Sequence, residues 1–262
     1  MVDFDRICSR ENSVIKLAVK LQNNSKARRE NGMFVLEGLR LCLDAVQNKF
    51  QVDLLIVTEE AYVKHEQMVE EIAVNSQKSY IITTELFSKI SDTKSPQGVM
   101  CICKMPSIDW KINTAGKYIA LENIQDPANL GTIARTAEAM GIDGLVVSSF
   151  GCDPFSPKAQ RAGMGALIRL PLFVVPDFLD KLKTFKSNGY KLYAAVVGNA
   201  EQMLTDVVFG DACVMLIGNE ANGLTADSVA LSDSKITISM KGKAESLNAA
   251  AAAAILIWEM TK

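Results

Sequence analysis

Six short, mainly apolar runs that read as strands constrain this chain most strongly: residues 118–122, 144–149, 172–175, 192–197, 212–217 and 236–240. A strand with one wet face alternates apolar and polar residues, whereas most of these runs are apolar over nearly their whole length. Both faces of the sheet they form must therefore be covered, which is the situation of a parallel sheet between helices. Helices are predicted between and after them at 130–140, 177–187, 226–231 and 246–260, with a short one around 158–161. The N-terminal part alternates similarly, with strands at 34–37, 53–58, 80–83 and 99–104 and helices over 39–48, 59–74 and 85–91. Val14, Leu17, Ala18 and Leu21 mark the buried face of a first helix, followed by a basic loop over 26–32. Pro106-Ser107 and the polar stretch 109–116 read as a linker. The expected layout is a small α/β domain over 1–106 and a parallel-sheet α/β domain over 107–262.

Other chemistries find little support. The 262 residues contain one histidine, His65, so His-based zinc sites and His-dependent triads have almost nothing to draw on. The cysteines form no C-x-x-C pair, and Cys101 and Cys103 share one strand face, as small buried hydrophobes of a reducing cytoplasm do. No signal peptide is visible, and no run approaches the ~20 apolar residues of a membrane span. The formal net charge is −2, yet Arg6, Arg10, Lys16, Lys20, Lys26, Arg28 and Arg29 face only Glu11 between residues 6 and 29. That is either a solvated helix face or a basic arm for a phosphate-bearing partner.

Three loops carry the candidate chemistry. The first, Glu122-Asn123-Ile124-Gln125-Asp126-Pro127-Ala128-Asn129-Leu130-Gly131, leaves a strand end and leads to Arg135. Asn129 is expected to cap the following helix, with Arg135 off its buried face. The second, Ile217-Gly218-Asn219-Glu220-Ala221-Asn222-Gly223-Leu224, places an amide and a carboxylate between two glycines that permit close backbone approach. The third runs from Ile238 through Ser239, Met240, Lys241, Gly242, Lys243, Ala244, Glu245, Ser246 and Leu247 to Asn248, before six alanines. Ser246 is expected to cap the final helix, which is apolar almost all round and should be buried. The usual nucleotide-binding signals, G-x-G-x-x-G after a strand and G-x-x-x-x-G-K-S/T, are absent.

Taken singly, each loop is explained by capping and turns. Their order on successive strand ends of one domain resembles the three signature motifs of the SpoU/TrmH family of SPOUT RNA ribose 2′-O-methyltransferases. The resemblance covers 118–262. It extends more weakly to the N-terminal part, where Asn12 to Leu17, the basic loop and Phe34-Val35-Leu36-Glu37-Gly38 look like the family's small substrate-binding domain.

The resemblance implies a deep trefoil knot in the catalytic domain, S-adenosyl-L-methionine as cofactor, and a homodimer with its active site near the shared interface. Carried over by motif position, the cofactor is held by backbone groups of Gly218, Ile238, Met240 and Leu247. The polar active-site set is Asn129, Arg135, Glu220, Ser246 and Asn248, with no metal. Arg135 is either the general base or a cation that holds phosphate and stabilises the developing alkoxide, its guanidinium fixed by Glu220 and Asn129. RNA is the expected partner, gripped by Lys16, Lys26, Arg28, Arg29 and Arg161, with ribosomal RNA favoured over transfer RNA. Gly163 departs from the Ser or Thr the family pattern carries. Competing readings are a transfer RNA methyltransferase, a non-catalytic RNA-binding or ribosome-assembly protein of the same fold, and a Rossmann-type enzyme acting on small molecules.

Overall fold

A computed structural model describes residues 3–106, 112–113, 115–198 and 200–262. The chain forms two compact units, one of Met1–Ser107 with Phe155–Arg161 and one of Ile108–Pro154 with Ala162–Lys262. The linker expected around residue 107 falls mostly outside the described residues.

The first unit runs β1 (Asp5–Ile7), α1 (Ser13–Asn23), α2 (Ser25–Asn31), β2 (Met33–Glu37), α3 (Leu39–Gln47), β3 (Val52–Thr58), α4 (Glu59–Lys64), α5 (Glu66–Val74), β4 (Ser76–Ile82), α6 (Thr84–Ile90) and β5 (Val99–Lys104). Its sheet has the order β1-β4-β3-β5-β2, with β5 antiparallel to both neighbours and the other pairs parallel. Ile15, Ala18 and Leu21 of α1 pack with Val35, Ile56, Met100 and Ile102 from the strands. Cys101 and Cys103 are fully buried on β5, and desolvation pushes both thiols well above their ordinary pKa.

Several expectations change here. Residues expected as a basic loop form the helix α2, because Asn24 Oδ1 accepts from Ala27 N at its start and Gly32 ends it in the left-handed region. Arg28 is only 4% exposed. Its Nη1 donates to the carbonyls of Leu21 (2.6 Å) and Gln22 (3.1 Å) at the end of α1, groups that lack helical partners. Arg28 is therefore an internal tie and not a phosphate contact. Lys16 and Lys26 are exposed but paired with Glu11 and Glu30 at 2.6 and 3.7 Å, while Arg29 is exposed. Arg161 Nη2 is committed to Asp92 at 2.7 Å. The same turn is organised by the buried Glu37, whose carboxylate accepts from Gln22 Nε2, Asp92 N, Thr93 Oγ1 and Ser91 Oγ.

The second unit runs β6 (Gly116–Leu121), α7 (Pro127–Ala139), β7 (Gly144–Ser148), α8 (Pro157–Gly163), α9 (Ala166–Arg169), β8 (Leu172–Val175), α10 (Phe178–Ser187), β9 (Lys191–Ala195), β10 (Gln202–Met203), β11 (Ala212–Ile217), α11 (Ala226–Leu231), β12 (Ser234–Thr237) and α12 (Ala249–Thr261). Much of α8 clusters with the first unit. Seven parallel strands lie in the order β10-β12-β9-β11-β6-β7-β8. From β6 the chain builds outward through β7 and β8, then crosses to β9 on the far side of β11. The order thus reverses around β6 and β11, the position at which open parallel sheets bind ligands beyond the strand ends. Ile217 sits in register with Leu121, so the loops leaving β11 and β6 start side by side. Gly163, where the family pattern carries a hydroxyl residue, lies against α7: a Cβ there would stand 3.6 Å from Gly131 O.

The last helix packs mainly against α7 and also touches β11. Ala253, Leu256, Ile257 and Met260 are buried, whereas Ile255 and Trp258 are 40% and 59% exposed, which corrects the expectation of burial all round. Among the described residues no helix is long and apolar enough to cross a membrane.

The burial of Arg28 predicts that Arg28→Ala lowers the unfolding free energy by about 1–3 kcal/mol through unsatisfied carbonyls. Arg29→Ala should stay within about 0.5 kcal/mol of the parent, as exposed substitutions do. Urea denaturation followed by circular dichroism checks both, and equal effects would contradict the assignment.

Candidate active site

The three loops converge through one hydrogen-bonded chain. Glu220, from the loop after β11, accepts from Gln125 N (3.0 Å), Asp126 N (3.1 Å) and Asn129 Nδ2 (2.9 Å), all in the segment after β6. Asn129 Oδ1 accepts from Asn248 Nδ2 at 3.0 Å. Asn248 Oδ1 in turn accepts from Ala250 N and Ala251 N and so caps α12. The caps differ from expectation. Asp126, not Asn129, caps α7, with Pro127 in the first turn where its missing N–H costs nothing. Asn248, not Ser246, caps α12. Asn129 lies inside α7 and is 9% exposed, since its amide is used in both directions across the loops.

Glu220 is ionised by design of its surroundings. Burial raises its pKa, but hydrogen bonds from Asn129 and from the backbone of Gln125, Glu220 and Asp126 outweigh that and hold it below the ordinary carboxylate value. A carboxylate so held anchors loops and is a poor proton acceptor near neutral pH. Cys152 lies nearby, its N–H donating to Ile124 O at 2.7 Å. Burial first, then the negative charge of Glu220, Asp153 and Asp126, pushes its thiol up to about 12. It stays protonated and is no nucleophile at neutral pH.

Further polar residues, some within the loops already singled out, brace the site through partners the sequence did not indicate. Glu122 is 5% exposed and accepts from Thr225 N and Oγ1 and from Ser228 Oγ. Asn123 stands at φ +58°, accepts from Ser148 Oγ (2.8 Å), and offers its carbonyl to Asn219 Nδ2 (2.9 Å). Asn219 and Gly223 exchange backbone hydrogen bonds, folding the second loop back on itself. Thr225-x-x-Ser228 was readable as a helix cap; its carboxylate partner, 103 residues away, was not.

A cavity of about 850 Å³ opens beside this bracing. It is lined by the loop after β9, by the second and third loops, and by Ala249, Ala252 and Leu256 of α12. Gly218, Ile238, Met240 and Leu247 all line it, as do Glu220 and Ser246. A Cβ on Gly218 would stand 2.1 Å from the carbonyl carbon of Gly223, so only glycine fits the crossing. Of the expected polar set, Asn129, Glu220 and Asn248 are joined by hydrogen bonds, and Ser246 faces the cavity. Arg135 is apart: exposed on α7, it is not held by Glu220 or Asn129, whose amide and carboxylate bind each other instead.

A cavity of this size suits a nucleoside-sized ligand. Leu224, Ile238, Met240, Leu247 and Leu256 offer an apolar wall, the loops offer backbone polar groups, and Glu220 offers negative charge. Those features fit S-adenosylmethionine, whose sulfonium is cationic and whose adenine ring is flat and polar-edged.

Comparison with known proteins adds independent findings. Residues 116–258 match the SpoU rRNA methylase family, and residues 12–101 match the MRM3-like substrate binding domain. The chain is 30% identical to the 23S rRNA (guanosine(2553)-2′-O)-methyltransferase RlmP of Bacillus subtilis over 97% of this chain and 98% of that one. A crystal structure of an AdoMet-bound rRNA methyltransferase from Sinorhizobium meliloti is similar with a TM-score of 0.87, at 27% identity over 98% and 97% of the two chains. The SpoU methyltransferase AviRb of Streptomyces viridochromogenes in complex with AdoMet is similar with a TM-score of 0.86, at 26% identity over 95% and 97%.

Asn129→Ala removes the middle of the chain of hydrogen bonds and should lower stability by about 1–3 kcal/mol. Glu220→Gln should cost about 1 kcal/mol at neutral pH, a modest figure because solvent reaches the carboxylate. The lowered folded pKa means that this contribution is present above the ordinary carboxylate pKa and is lost as pH falls through the folded value. Urea titrations at neutral and strongly acidic pH should therefore show the Glu220→Gln deficit shrinking in acid; a pH-independent deficit would refute the assignment.

Proposed function

The chain belongs to the SpoU rRNA methylase family, and on that premise we propose how it methylates RNA. It is an S-adenosylmethionine-dependent RNA methyltransferase acting on a ribose 2′-hydroxyl of ribosomal RNA. The observation that carries the reading is the cavity enclosed by the second and third loops and braced by the Glu220–Asn129–Asn248 chain.

Gly218, Ile238, Met240 and Leu247 would hold the cofactor, which supplies an electrophilic methyl group on a positively charged sulfur. Glu220 and Asn129 keep the loops in position, an alignment role that can contribute ~7 kcal/mol or more to a reaction between two bound partners. Asn248 holds the start of α12 against the cavity, and Ser246 offers a hydroxyl at its mouth. Arg135 holds a phosphate of the target nucleotide and stabilises the negative charge that grows on the 2′-oxygen as its proton passes to solvent water. A guanidinium stays protonated, so this role suits it better than that of a base. Lys16, Lys26 and Arg29 add an exposed basic surface for RNA.

The active unit is a homodimer. Ala251, Ile255 and Trp258 form an outward apolar stripe at helical spacing on α12, and burying it against a second copy would remove a large aromatic surface from water. The tail from β12 to α12 runs back across the strand ends to α7, a path compatible with a deep trefoil knot. A cytoplasmic location follows from an RNA substrate found there.

Arg135→Ala should abolish transfer of tritiated methyl groups from labelled cofactor to ribosomal RNA while S-adenosylhomocysteine binding, measured by calorimetry, stays within about twofold. Full activity in that variant would sink the assigned role. Trp258→Glu should convert a sedimenting dimer to monomer, and an unchanged dimer would place the interface elsewhere.

A further inference from the structure

Nine of the ten phenylalanines are buried or half-buried, whereas Phe150 is 74% exposed. It stands two residues beyond the end of β7, on the loop that runs beside the first motif loop. A single exposed apolar side chain is ordinary on a protein surface. This one is set apart by how firmly its backbone is held and by what it adjoins.

The loop is pinned on several sides. Ser149 N donates to Val175 O at 2.9 Å, Phe150 N to Ser148 Oγ at 3.3 Å, and Cys152 N to Ile124 O at 2.7 Å. A Cβ on Gly151 would stand 2.7 Å from Ile124 O, so only glycine lets the two loops press together there. Gln125 Nε2 donates to Phe150 O at 3.5 Å, while Gln125 N donates to Glu220 Oε2 at 3.0 Å. One residue, Gln125, thus links the backbone of Phe150 to the carboxylate that lines the cofactor cavity. An aromatic ring is held in water beside the reaction site.

Phe150 lines an open cavity of about 400 Å³, to which Pro176 and Leu179 add apolar surface. Asn123 also lines it; its Oδ1 is taken by Ser148 Oγ, and its Nδ2 has no partner among the described residues. Asp177 and Asp227 stand exposed around it without an ion-pair partner among the described residues, and Lys183 is matched by Asp180 at 2.8 Å. Phosphate is therefore repelled from this surface. An uncharged, flat nucleobase is not: it stacks on an aromatic face whatever the sequence, and its edge accepts from an amide donor.

We propose that Phe150 is a substrate-binding residue whose ring stacks on a nucleobase next to the ribose being methylated, with Asn123 Nδ2 donating to the edge of that base. It rests on the RNA-methyltransferase reading and deepens it: the site would grip RNA through an uncharged stack as well as through the guanidinium of Arg135.

Transfer of tritiated methyl groups by the full chain to total ribosomal RNA from cells lacking this gene tests this. Phe150→Ala should lower kcat/KM for RNA roughly tenfold, the loss expected for one base stack. No phosphate contact is lost, so the dependence of log kcat/KM on log salt should keep the parent slope. Phe150→Trp keeps an aromatic face and should stay within about twofold of the parent. Phe150→Leu is apolar but has no such face, and should fall with Phe150→Ala. Parent-like kcat/KM in Phe150→Ala would overturn the proposal, and so would Phe150→Leu performing as well as Phe150→Trp. A shallower salt slope in Phe150→Ala would assign the loss to phosphate contacts and contradict stacking. Conversion of a sedimenting dimer to monomer by Phe150→Ala would show the ring to be covered by a second copy, which also overturns it. Calorimetric binding of S-adenosylhomocysteine shows whether each variant keeps an intact cofactor site; if Phe150→Ala loses it, the comparison of Phe150→Trp with Phe150→Leu decides. Absence of transfer by the parent chain would instead refute the methyltransferase reading, and the proposal with it.

Discussion

The chain of hydrogen bonds from Glu220 through Asn129 to Asn248 is the constraint on which the catalytic unit depends. It joins residues separated by 91 and 119 positions, so nothing local holds these loops together. The strand order brings β6 and β11 side by side, and the amide of Asn129 then serves both partners at once. Individually such bonds contribute about 1 kcal/mol. Their larger effect is geometric: they brace the loops that line the cavity, where a small displacement would spoil the fit of a ligand.

That division of labour also explains the polar chemistry. Glu220 is kept ionised by its donors and Cys152 is kept protonated by burial and nearby carboxylates, so neither is suited to abstract or accept a proton near neutrality. Methyl transfer to a hydroxyl needs alignment and stabilisation of developing negative charge more than a strong base. The loops supply the first, and Arg135, exposed and not bonded to Glu220 or Asn129, is the residue proposed for the second.

Much of this architecture was readable from residue patterns. Mainly apolar runs announced the buried parallel strands, and β5 matches its expected limits as Val99–Lys104. The three loops were identifiable because glycines, amides and carboxylates follow strand ends in a family-like order. What escaped were roles set by distant partners. Asn129 looked like a helix cap, but the Asp126-Pro127 pair takes that role and frees Asn129 for Glu220. Arg28 looked like a surface cation in a basic stretch, yet the end of α1 supplies carbonyls that draw it inward. Glu122 gave no hint that Thr225 and Ser228 would enclose its carboxylate. Propensity reports the local chain, whereas these three side chains answer to tertiary neighbours.

The account stands most directly on where the cofactor binds. A crystal structure of the full chain grown with S-adenosylhomocysteine should show the ligand between the second and third loops, against the backbone of Gly218, Ile238 and Met240, with Glu220 still bonded to Asn129. Ligand density outside that cavity, or loops parted with Glu220 and Asn129 no longer in contact, would contradict it.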